Sequence, residues 1–115
     1  MGYIKHNAII VTGFQEDKMV KARNKAIKIF KKCFEDEPMD ATELIGKIQN
    51  GLCNGQQSFF IAPDGSKEGW ETSDNGDKAR KLFLQWLGEQ TDIYCDWIEI
   101  RFGGDDDDNT FVRSS

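Results

Sequence analysis

Hydrophobic and polar positions along the chain alternate between two periodicities. Residues 3–12 are rich in β-branched and apolar side chains and stop at Gly13, which predicts a strand ending in a turn. From about residue 16 to 34, Met19, Ala22, Ala26, Ile27, Ile29, Phe30, Cys33 and Phe34 recur at helical spacing and predict an amphipathic helix. Pro38 ends it, because proline cannot continue a helix and biases the residue before it toward extended backbone. Residues 44–48 predict a short second strand, followed by the turn pairs Asn50-Gly51 and Asn54-Gly55. Residues 58–62 predict a third strand, halted by Pro63-Asp64-Gly65. Thr72, Ser73 or Asp74 is placed to cap a second helix running to about Gln90, with Ala79, Leu82, Phe83, Trp86 and Leu87 as its buried stripe. Residues 96–102 alternate strictly, with Ile98, Ile100 and Phe102 on one face and Trp97, Glu99 and Arg101 on the other.

The order strand, helix, strand, strand, helix, strand predicts an α+β protein of the ferredoxin-like split βαβ type. Its two helices cover one face of an antiparallel sheet. The second face, expected to carry Trp97 and Arg101, stays open and must be polar, bind a ligand or support a homo-oligomer. Residues 1–115 read as a single domain, with an acidic loop at 103–109 and a short terminal strand at 110–113.

A chain of 115 residues has room for one core. No stretch of about 18 apolar residues and no signal-peptide pattern is present, so the expectation is a cytoplasmic protein without a membrane span. Three cysteines (Cys33, Cys53 and Cys95) and one histidine (His6) form no metal-ligand spacing and no disulfide framework. Of the net charge of −5, four charges lie in the aspartates 105–108, so the rest of the chain is nearly neutral. Those aspartates lack the spacing of a calcium loop and read as a solvated segment. No metal and no cofactor is expected, and no nucleophile motif, phosphate-binding loop or paired acid–base constellation points to an enzyme.

The candidate chemistry is cationic and aromatic. Lys18, Lys21, Lys25, Lys28 and Lys32 share one stripe about 80° wide on the first helix. Arg23 projects within about 40° of the centre of the apolar stripe, where a guanidinium needs a carboxylate, phosphate or interface to receive it. Trp70 and Trp97 offer flat faces for a base. Arg101 and Arg113 add charge near the C-terminal strands. RNA binding is disfavoured because the aromatic RNP patterns are missing.

The segments MGYIKHNAIIVT (1–12) and SFFIAPDGSKEGWE (58–71) resemble a family of small proteins carried by bacteriophages and prophages. The likeness continues through Ser73-Asp74, Gly76-Asp77, Arg80, Phe83, Trp86-Leu87 and residues 97–99, although the connection from Leu87 to Trp97 is shorter than in that family. In size and phage context the chain is similar to the Thoeris anti-defence sponges, which sequester cyclic ADP-ribose-type immune signals. That resemblance implies a non-catalytic homo-oligomer holding a cyclic nucleotide between protomers in the host cytoplasm. Arg23, Lys28, Arg101 and Arg113 would neutralise phosphates, and Trp70 or Trp97 would stack on the base. The alternatives are a direct protein inhibitor of a host defence enzyme and, third, a small phosphodiesterase.

Overall fold

The computed structural model describes residues 4–105 and 109–115. It contains β1 (His6–Gly13), α1 (Glu16–Cys33), a 3-10 turn (Ala41–Leu44), β2 (Gln49–Asn50), β3 (Gln57–Ile61), α2 (Glu71–Glu89), β4 (Cys95–Phe102) and β5 (Thr110–Ser114). The strands form one antiparallel sheet in the order β2-β3-β1-β4-β5. This is the ferredoxin-like split βαβ arrangement, extended by β5 beyond β4.

The helices form where the apolar spacing places them. Each also carries charge that suits its dipole, Glu16 and Asp17 in the first turn of α1 with Lys31 and Lys32 in its last, and Glu71 and Asp74 in the first turn of α2. The core lies between the helices and one face of the sheet. Ile9, Val11, Phe59 and Ile61 meet Met19, Ala22, Ala26 and Phe30 of α1 and Ala79, Phe83, Leu84 and Leu87 of α2, and all are buried. Phe59 and Phe83 cross at 6.3 Å between ring centroids, a tilted pairing that aromatic quadrupoles favour.

Three local expectations are corrected. Residues 44–48 are not a strand. Asp40 accepts hydrogen bonds from the Thr42 amide (3.0 Å) and hydroxyl (2.6 Å), drawing 41–44 into a 3-10 turn; Ile45 then makes an isolated antiparallel bridge to Ile61, and the strand itself is confined to Gln49–Asn50. None of Thr72, Ser73 and Asp74 caps α2, which begins at Glu71 with Trp70 in the cap position, two residues before the earliest of these caps would place it. The Thr72 hydroxyl and the Asn75 amide instead donate to Glu37, tying α2 to the segment after α1.

The third correction concerns β4. Ile9 pairs with Glu99, Val11 with Trp97 and Asn7 with Arg101. Directly paired residues share a face, so the inward orientation of Ile9 and Val11 carries Trp97, Glu99 and Arg101 to the helix side. Ile98, Ile100 and Phe102 point to the open side. Trp97 and Arg101 are therefore not on the open face, and the alternation is read with its two faces exchanged.

Candidate functional site

The exchange of faces puts an ionisable cluster under the helices. Glu99 is only 3% exposed and Arg80, from the buried stripe of α2, 4%. A buried carboxylate is tolerable only when cations and donors surround it. Here Asn7 Nδ2 donates to Glu99 Oε2 at 3.0 Å, Arg80 Nε lies 3.5 Å from the same oxygen, and Arg113 Nε lies 3.1 Å from Oε1. Arg80 also donates to Asp64 Oδ2 (3.2 Å) and Asp77 Oδ1 (2.5 Å). One guanidinium thus joins the loop before α2, α2 itself and β4.

Local geometry supports this chain of charges. A bulge at Glu99/Ile100 makes Val112 an extra residue on β5, so Arg113 faces Glu99 while Phe111 faces Ile100 on the other side of the sheet. A Cβ at Gly76 would collide with the Asp64 carboxylate and lie 3.2 Å from Arg80 Nη1. The missing side chain is what lets Asp64 reach across the helix. Asp64 is itself held by the Ser66 amide, which donates to Oδ1 at 2.8 Å.

Outside this network a cleft of about 380 Å³ opens between α2 and the β4–β5 edge, lined by Asn7, Asp77, Lys78, Lys81, Glu99, Arg101, Val112 and Arg113. The carboxylates of Asp64, Asp77 and Glu99 balance the guanidiniums of Arg80, Arg101 and Arg113. Lys78 and Lys81 are exposed and pair with no carboxylate among the described residues, leaving two positive charges in surplus. Arg101 Nε is buried and has no hydrogen-bond partner among the described residues. A buried donor left unpaired costs about 1–3 kcal/mol, and an anion in the cleft would relieve that cost.

Of the residues singled out from the sequence, Arg101 and Arg113 come together here and the others do not. Arg23 finds its receiver in the backbone, with Nε donating to Gly46 O at 2.7 Å and Nη2 to Ile45 O at 3.4 Å, and so pins the segment before β2 to α1. Lys28 lies on the rim of a separate groove between the helices, floored by Ile29, Cys33 and Leu82. Elsewhere in the lysine stripe, Lys18 and Lys21 contact Asp92 at 2.9 and 3.5 Å, and Lys25 lies over the Trp86 ring. The Lys18 hydrogen bond holds the Asp92 carboxyl below its usual range. Trp97 is half-buried against the core, on the same strand but near Gly88, away from the cleft lining. Trp70 is half exposed beside Lys67, which stands over its ring at 5.9 Å. Among the described residues no aromatic ring lines the cleft.

Asn7, Asp64, Gly76, Asp77, Lys78, Arg80, Lys81 and Glu99 were missed from the sequence. The available signal was Gly76 in mid-helix, where glycine costs about 1 kcal/mol and hence marks a close approach. Arg80, between Ala79 and Phe83 of the buried stripe, was the second.

Of the acidic run, Asp105 is described and structural. Its carboxylate accepts from the Ile4 amide and its own amide donates to Ile4 O, both at 2.8 Å. Residues 106–108, also read as solvated, lie outside the described residues. Among the described residues no group of three histidine, cysteine or acidic side chains is gathered as metal ligands, and no helix is long and apolar enough to cross a membrane. Burial pushes the Cys33 and Cys95 thiols up, disfavouring their thiolates. Compared with protein-family models, curated proteins and solved structures, the chain matches none of them.

Proposed function

We propose that the protein binds an anionic nucleotide in the cleft between α2 and the β4–β5 edge and retains it without turnover. The observation that carries this reading is Arg101 Nε, buried without a partner in a cleft whose lining leaves two cationic charges in surplus. A diphosphate-bridged ligand of the cyclic ADP-ribose type, the class suggested by the phage resemblance, brings two negative charges to that surplus. Arg101 and Arg113 would meet one phosphate with fixed, planar donors, and Lys78 and Lys81 would supply mobile charge at the mouth. With no aromatic ring in the lining, affinity rests on the phosphates more than on the base. In this reading the role is sequestration of an immune signal in the host cytoplasm.

The test is to incubate the purified protein with cyclic ADP-ribose isomers, cyclic oligonucleotides and linear nucleotides, remove free ligand, denature with heat and identify what is released. One intact nucleotide is expected. Arg101→Gln, and separately the double variant Lys78→Gln/Lys81→Gln, should weaken binding roughly ten- to hundred-fold per lost charge-assisted contact. Unchanged affinity in both overturns the site, and release of a converted product replaces sequestration by a phosphodiesterase. The exposed apolar residues on the open side of the sheet favour a second reading, direct inhibition of a host enzyme. It gains if no nucleotide is retained.

A further inference from the structure

The open side of the sheet carries a continuous apolar band. Phe60, Ile10 and Ile98 lie abreast across β3, β1 and β4, and Ala8, Ile100 and Phe111 lie abreast in the next row across β1, β4 and β5. Phe102 extends the band, its ring 5.5 Å from that of His6. Phe111 is 64% exposed, Phe60 46% and Ile10 40%. The ends of the face are polar. Thr12 and Ser58 share a hydrogen bond of 2.8 Å beside Asp96 at one end, and His6 stands at the other. An apolar centre with a polar rim is the anatomy of a protein interface.

We infer that a second copy of this chain packs face to face on this band, with its strands running antiparallel to those of the first. Two observations select that occupant. Among the described residues the two rows of the band hold no charged side chain, so a copy of the band meets no like-charge repulsion at the centre; Lys47 lies outside the rows, lining the hollow beside Ile10 and Phe60 at the β2 edge. At the rim, a two-fold axis lying across the strands sets the His6 end of one copy over the Asp96 end of the other, whereas an axis along the strands would set Asp96 against Asp96. Size is the second. Five strands about 4.8 Å apart, two of eight residues, two of five and one of two, at about 3.3 Å per residue, outline roughly 440 Å² of flat face. A standard interface buries about 800 Å² per partner. The face is sufficient for a weak, concentration-dependent dimer with dissociation on the order of micromolar. The cleft containing Arg101 lies on the helix side, so the pairing leaves it open and stands independently of the nucleotide reading.

Sedimentation equilibrium over a rising protein concentration tests the pairing. The expected mass climbs from 13.1 kDa toward twice that value. Phe60→Asp/Phe111→Asp should remain at the monomer mass with an unchanged circular dichroism spectrum, since both side chains are exposed. Should that variant unfold, Phe60→Ser/Phe111→Ser serves the same purpose, and Leu82→Asp on the helix layer should still dimerise. A wild-type chain that stays monomeric at several hundred micromolar overturns the inference and reserves the face for a different protein. Dimerisation that survives both double variants overturns it in favour of another surface. In a Cys53→Ser background, mixing His6→Cys with Asp96→Cys should give a cross-linked heterodimer, and cross-linking of Asp96→Cys to itself alone would overturn the antiparallel orientation.

Discussion

On its helix side β4 holds Glu99 buried among Arg80, Arg113 and Asn7, and on its other side the same strand leaves Ile98, Ile100 and Phe102 facing outward. The contrast shows that hydrophobicity alone does not choose which face of a strand is covered. Register does, once a neighbour such as β1 has committed Ile9 and Val11 to the core. Charge survives in the covered layer where it is surrounded by counter-charge, as Glu99 is by Asn7, Arg80 and Arg113, while apolar side chains on the uncovered layer await a partner.

The difference between the two faces can be broken most severely at Glu99. Glu99→Leu takes the shared carboxylate from Arg80 Nε and Arg113, although Arg80 keeps Asp64 and Asp77, and should cost about 3–5 kcal/mol in urea unfolding; the loss in Glu99→Leu/Arg80→Leu should fall short of the sum of the two single losses. A double loss equal to the sum of the two single losses would mean that the pair is not coupled. Next comes Gly76→Ala. In an ordinary helix this change is favourable by about 1 kcal/mol, but here the added methyl displaces Asp64 from Arg80 and should destabilise by about 1–3 kcal/mol; a rise in Tm would show that Asp64 yields freely. On the open face, Phe60→Ser should alter the stability of the monomer by no more than about 1 kcal/mol, measured below the dimerisation range, because the residue is 46% exposed there.

The smallest effect belongs to the surface tether between α1 and the segment before β4. The Lys18 hydrogen bond lowers the Asp92 carboxyl from its ordinary 3.8 and raises the Lys18 ammonium from 10.5. The Asp92 contribution is therefore complete above 3.8 and is lost as pH falls through the lower folded value; the Lys18 contribution is lost as pH rises through the raised one. Asp92→Asn should remove this pH dependence with a barely measurable drop in Tm, and high salt should mask the difference.

Most of the architecture was legible in the sequence because both helices and β1, β3 and β4 obey clean periodicities. β2 was not, since the Asp40 carboxylate decides the backbone of 41–44 and leaves only the isolated bridge of Ile45 to Ile61 ahead of Gln49. The site was legible only in part. Arg101 and Arg113 stood out as charge, yet their meeting depends on the β5 bulge, which no spacing announces. Arg23 was correctly marked as needing a receiver, but single-sequence reasoning supplies phosphates more readily than the Gly46 carbonyl that fills the role. Glu99 went unnoticed because a glutamate in an alternating strand ordinarily belongs to solvent.

The sheet order also bears on how the chain is made. β1 sits in the centre of the sheet, hydrogen-bonded on one side to β4, whose Cys95–Phe102 leaves the ribosome some ninety residues after it. Pairings of such long sequence separation close slowly. A nascent chain must therefore carry β1 and the apolar stripe of α1 without β4 while those intervening residues are made, a window in which chaperone binding would find its target.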